Sequence, residues 1–143
     1  MQRWLSLLVT ALGLTVFTSS LQASETGARL AASGAAKLLT GAGYNFVGGD
    51  AGLLAPGQSI LIHTTLYSGN TYAFIAGGCE DAYDVDIAVY DENGNLIRRD
   101  NDNSPAAVAE DIRPRWTGKF FIKVTMFRST RGGAHYILLL GRR

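Results

Sequence analysis

Hydrophobic and polar positions fall into three regimes along the chain. Trp4 to Phe17 is an uncharged, mostly apolar run. Between residues 24 and 43, Ala28, Leu30, Ala31, Ala32, Ala35, Ala36, Leu38 and Leu39 recur at helical spacing. That spacing predicts one short helix, with Thr26 as its cap and Gly41 and Gly43 ending it. Gly34 weakens this helix by roughly 1 kcal/mol relative to alanine. From Tyr44 onward the period drops to two, in short runs separated by turn residues, which is the pattern of an all-β domain.

The alternation assigns faces. After the Pro56-Gly57 turn, Ile60, Ile62, Thr64 and Leu66 lie on one side of a strand, which Gly69 and Asn70 end. Tyr72, Phe74 and Ala76 alternate with Thr71, Ala73 and Ile75 up to a break at Gly77-Gly78. Val85, Ile87 and Val89 form a buried side, with Asp84, Asp86, Ala88 and Tyr90 facing the other way. Asp91-Glu92-Asn93-Gly94-Asn95 is a hairpin signal, because Asn-Gly accepts the positive φ that a tight turn needs. Leu96 to Arg98 return, and Val108 and Ile112 mark a further strand before Pro114. After the Thr117-Gly118 turn, Phe120, Ile122, Val124 and Met126 face inward and Phe121, Lys123, Thr125 and Phe127 outward. Gly132-Gly133 precedes a closing strand from His135 to Leu140. Seven to eight short strands in about 100 residues predict a sandwich of two antiparallel sheets.

The N-terminal regime changes the compartment. Arg3, the apolar run and the small-residue stretch to Ala23 have the layout of a cleavable signal peptide over residues 1–23. The run is shorter than the roughly 20 residues a membrane-spanning helix needs. The expected organisation is therefore a signal peptide (1–23), a leader with a short helix (24–43) and one β-sandwich domain (44–143), placed in the periplasm or outside the cell. Cys79 is the single cysteine and cannot form an internal disulfide. It is read as a buried thiol or, alternatively, as the half of an intermolecular bridge.

Charge adds a division within the domain. Without Arg3 of the expected signal peptide the 13 bases become 12 against 12 acids, and a formally neutral chain argues against nucleic acid as a partner. Between Glu80 and Asp111 ten acids face two bases, a net of −8, and from Arg113 to Arg143 there are eight bases and no acid. If strands from the two segments pair, these charges neutralise one another across the sheet.

Several stretches carry a resemblance when read in order. Tyr83-Asp84-Val85-Asp86-Ile87-Ala88-Val89-Tyr90-Asp91-Glu92-Asn93-Gly94-Asn95-Leu96, then Asp100, Pro114, Thr117-Gly118-Lys119-Phe120-Phe121-Ile122-Lys123-Val124 and Tyr136-Ile137-Leu138-Leu139, resemble the bacterial pre-peptidase C-terminal domains. Leu54-Ala55-Pro56-Gly57-Gln58-Ser59 and Gly69-Asn70-Thr71-Tyr72 fit the opening strands of that family. The resemblance implies a jelly-roll-like sandwich that serves targeting, secretion or folding and holds no active site. Such modules are usually appended to exported enzymes, and here a stand-alone copy of the module is expected.

Two sets of side chains are candidates for binding. Asp84, Asp86, Asp100 and Asp102 offer oxygen ligands of the kind calcium takes at about 2.3–2.6 Å. Pro105 stands where a helix-loop-helix calcium loop requires glycine, so only a looser calcium site drawn from these acids is expected. Tyr90, Trp116, Phe121 and Phe127 fall on outward faces or in loops, where rings stack on sugars or receive a protein. The alternative is that another layer of the fold covers them. His63 and His135 sit in predicted strands away from any recognisable nucleophile, so catalysis is not expected. The expectation is a secreted, non-catalytic binding module for a protein or polysaccharide, with a self-associating envelope protein as the alternative and a small hydrolase after it.

Overall fold

The computed structural model describes residues 17–143; most of the expected signal peptide lies outside that range. One helix, α1 (Phe17–Gly41), precedes eight strands: β1 (Asn45–Leu54), β2 (Ser59–Leu66), β3 (Tyr72–Gly78), β4 (Ala82–Asp91), β5 (Leu96–Asp100), β6 (Ala106–Ile112), β7 (Gly118–Ser129) and β8 (Ala134–Arg142). They form two four-stranded antiparallel sheets in the orders β1-β8-β3-β6 and β2-β7-β4-β5. Only the β4–β5 hairpin joins neighbours in one sheet; every other connection crosses to the opposite sheet. This is the strand order of a jelly roll. The all-β sandwich expected from the alternation is the fold.

The core lies between the sheets and follows the period-two pattern. Val85, Ile87 and Val89 of β4 and Phe120, Ile122, Val124 and Met126 of β7 are buried, as are Tyr72, Phe74 and Ala76 of β3 and Tyr136 and Leu138 of β8. Each large apolar side chain removed from water in this way stabilises the fold by about 1.5–3 kcal/mol. At the sandwich margin the Tyr136 hydroxyl donates to Asp50 Oδ2 (2.6 Å), and burial together with that carboxylate pushes its pKa well above the ordinary tyrosine value.

The helix is longer than its sequence spacing predicts. It begins at Phe17, so Thr26 lies inside it and does not cap it, and it runs unbroken through Ala23. Its C-terminus matches the expectation. The Gly43 N–H donates to Thr40 O and the Tyr44 N–H to Leu39 O, both at 3.0 Å, with Gly43 at φ 90°. Tyr44 and Leu39 are both buried, which completes a Schellman motif with its apolar contact.

α1 packs on the outer surface of the β1-β8-β3-β6 sheet through the fully buried Ala28 and Ala32. A Cβ on Gly77 would lie 2.9 Å from the Ala28 carbonyl oxygen and the Ala32 nitrogen. Gly77-Gly78, expected to break a strand, is therefore part of β3, and the missing side chain lets the helix backbone approach. With the core on one side and the helix on the other, every residue of β3 is buried.

Candidate functional site

The β2-β7-β4-β5 sheet has no such cover among the described residues. On its outer surface, strand register lines side chains up in rows that cross the strands. One row runs His63, Phe121, Tyr90, Leu96. The His63 and Phe121 rings meet edge to face with centroids 6.3 Å apart. The next row is Leu61, Lys123, Ala88, Arg99, and the third is Ser59, Thr125, Asp86. Ser59 Oγ and Thr125 Oγ1 are hydrogen-bonded at 2.7 Å. Neighbouring strands stand about 4.8 Å apart and rows two residues apart about 6.7 Å, so the first two rows cover roughly 14 Å by 7 Å.

A hairpin borders this face at one end. Asp91 is buried, and its carboxylate accepts the Asn93 and Asn95 backbone N–H groups and the Asn95 side-chain amide, each at 2.9 Å. Those bonds, the Asn95 side-chain amide first, hold its pKa below the usual carboxylate range. Of the expected Asn-Gly pair only Gly94 takes a positive φ (82°), so the turn is a type I turn closed by a glycine bulge, not the tighter mirror-image turn. Between this hairpin and the first two rows lies a groove of about 370 Å³ lined by Leu61, Tyr90, Asp91, Glu92, Gly94, Phe121 and Lys123.

The expected ring set divides into three. Tyr90 and Phe121 are cross-strand neighbours in the groove wall. Phe127 is on the same strand as Phe121 and 59% exposed, but six residues along, about 20 Å away. Trp116 is not on this face. It packs on Phe120 (centroids 6.1 Å), its Nε1–H donates to Glu92 Oε1 (2.9 Å), and a Cβ on Gly118 would touch it at 3.0 Å. Trp116 thus closes the end of the sandwich beside a second cleft of about 400 Å³. Leu61, Lys123 and Arg99 complete the face; of these only Lys123 was read as outward from the sequence, and strand register places all three near the rings.

The acids expected to hold calcium lie near one another with distinct tasks. Asp84 was expected to point outward. A bulge in the β4–β7 register turns it in, where it is 5% exposed and faces Arg128 Nε across 3.6 Å. Its Oδ1 has no hydrogen-bond partner among the described residues. Asp86 stays on the outer face, and its pKa is raised, first by burial and then by the charges of Asp84 and Asp100. Asp100 accepts the Val108 N–H (2.9 Å) and the Asp102 N–H (3.2 Å), and Asp102 is exposed. Among the described residues no three His, Cys, Asp or Glu side chains are grouped so that they could hold a metal ion. The expected neutralisation between the acidic and basic segments takes the form of two ion pairs among the described residues, Arg128–Asp84 and Arg143–Asp111.

Cys79 is buried and unbridged, and its backbone N–H donates to the His135 carbonyl oxygen (3.0 Å). His63 belongs to the ring row. No helix among the described residues is long and apolar enough to cross a membrane.

No protein-family model matches the chain, and no curated protein matches it in sequence. Among solved structures, it is similar to Aeromonas hydrophila PliG, a periplasmic lysozyme inhibitor of g-type lysozyme, at TM-score 0.49 and 20% identity, covering 71% of this chain and 90% of that one. It is also similar to the pre-peptidase C-terminal domain of collagenase from Bacillus anthracis, at TM-score 0.49 and 16% identity, covering 65% and 87%. At these identities the likeness is one of β-sandwich shape. Neither likeness assigns the chain to a family.

Proposed function

We propose that the protein is a non-catalytic binding module that holds an extended polysaccharide across the outer surface of the β2-β7-β4-β5 sheet, outside the cytoplasm. One observation carries this reading: Tyr90 and Phe121 stand side by side in an open groove while the opposite sheet is covered by α1. A pyranose presents a face of C–H groups that stacks on such rings, and the hydroxyls around it meet the polar residues of the neighbouring rows. The groove is a shallow channel across strands, suited to a chain lying along it and not to enclosing a reacting centre. The N-terminal charge and apolar pattern supports export.

Affinity electrophoresis of the full chain through gels containing neutral and charged polysaccharides tests the proposal. Retardation by at least one polymer is expected, with about tenfold weaker binding, roughly 1.4 kcal/mol, in the Tyr90→Ala/Phe121→Ala double variant. Phe127→Ala should bind as the parent does. Equal retention of parent and double variant on every polymer, with both folded, would place the binding surface elsewhere.

A further inference from the structure

The polysaccharide reading leaves the charge of the ligand open, and the second row of the same face speaks to it. Lys123 and Arg99 stand in the row next to the rings, and Lys119 lies two residues before Phe121 on the same strand. None of the three belongs to an ion pair among the described residues. The three carboxylates near the face are placed differently: Asp91 is buried and its oxygens are taken by Asn93 and Asn95. Glu92 accepts the Trp116 indole N–H, and Asp86 lies in the third row, on the far side of the cations from the rings. The groove is therefore lined by rings on one row and by Lys123 on the next, about 6.7 Å away, and Arg99 continues that second row across Ala88 outside the groove.

From this juxtaposition we infer that the polymer is a uronic-acid polysaccharide, lying across the strands with its sugar rings over Phe121 and Tyr90 and its carboxylates toward Lys123 and Arg99. A uronan carries a stackable ring and an anionic group in the same repeating unit, which matches adjacent rows of rings and cations. A neutral glycan would leave the cations unused. A polyanion without rings would leave the aromatic row unused. This assignment rests on the polysaccharide reading above and adds the charge of the ligand to it.

The test titrates the full chain with three probes: polygalacturonate, dextran, and poly-L-glutamate. Polygalacturonate is expected to bind at least tenfold more tightly than either of the others. Its affinity should fall as salt rises from about 0.05 to about 0.5 M, where charges separated by several ångströms become screened. The Arg99→Gln/Lys123→Gln double variant should lose about tenfold, and Arg131→Gln, on the exposed β7–β8 turn, should lose nothing. Matching thermal melts establish that the variants fold.

Dextran bound as tightly as polygalacturonate, and weakened by Tyr90→Ala/Phe121→Ala, overturns the uronan assignment and leaves the polysaccharide reading standing. Poly-L-glutamate bound as tightly overturns it in favour of an acidic protein partner. Undiminished polygalacturonate binding in Arg99→Gln/Lys123→Gln, or no binding to it, overturns the assignment outright.

Discussion

The two sheets of this sandwich share a core and differ in what lies on their outer surfaces. On the β1-β8-β3-β6 sheet, the outward positions Ala73, Ile75 and Gly77 of β3 are small or apolar and lie beneath α1. On the β2-β7-β4-β5 sheet the outward positions mix rings, cations and hydroxyls and remain open to solvent in the described structure. A surface that packs against a helix needs small residues and close backbone approach. A surface that meets a polymer needs projecting rings and hydrogen-bonding groups. The same architecture carries a helix-packed surface and an open one on which the polymer site is proposed, and composition at alternate positions tells them apart.

The comparison breaks most readily at Gly77. Gly77→Val places side-chain atoms against the Ala28 carbonyl and the Ala32 nitrogen and should destabilise the protein by about 3 kcal/mol in urea unfolding. Ala88→Val on the open sheet should cost less than about 0.5 kcal/mol. Equal losses would show that the helix does not distinguish the sheets.

A smaller effect is expected from Phe121→Ser. Its ring is only half-buried on the outer face, so stability should fall by about 1 kcal/mol while binding suffers. A loss of 3 kcal/mol or more would make Phe121 a core residue and remove the contrast between the two surfaces.

The smallest effect is expected at Asp86, and its sign sharpens the comparison. Burial and the charges of Asp84 and Asp100 raise the Asp86 pKa, so the folded state holds this proton more tightly than the unfolded state. Stability from that proton is full at acid pH and is lost as pH rises past the unfolded value of about 4 and through the folded value. Asp86→Asn should therefore raise the melting temperature at pH 7, by a few tenths of a kcal/mol after solvent screening. The gain should vanish when melts are repeated in acid. A drop in melting temperature at pH 7 would mean that the carboxylate makes a favourable contact there.

Alternation made much of the fold legible in sequence. The inward sets Val85-Ile87-Val89 and Phe120-Ile122-Val124-Met126 are buried as the pattern implied. β1 was harder to read, because Gly48, Gly49 and Gly52 interrupt its apolar pattern and it pairs along only one edge, with β8. Gly77-Gly78 carries the signature of a turn, but the helix packing that explains Gly77 comes from residues nearly fifty positions earlier. Asp84 turns inward because of a bulge, and alternation has no means of announcing one. At the candidate site, Tyr90 and Phe121 were legible as outward rings. That they are neighbours, and that Lys123 and Arg99 flank them, depends on which strands pair and in what register. Trp116 lies in a loop as expected, but a loop residue has no period, so its packing on Phe120 and its bond to Glu92 could not be read from sequence.

The pairing of β1 also bears on how the chain acquires its structure. Asn45 lies opposite Arg142, and among the described residues β8 is the only strand hydrogen-bonded to β1. β2 likewise waits for β7. A chain that emerges N-terminus first, from a ribosome or across a membrane, cannot complete either sheet until nearly all of it has appeared. Such distant pairings make folding slow, because loop-closure entropy must be overcome before the contacts stabilise anything. The ring-lined groove is framed by β2, β4 and β7, so it takes shape only once β7 has paired, late in the emergence of the chain.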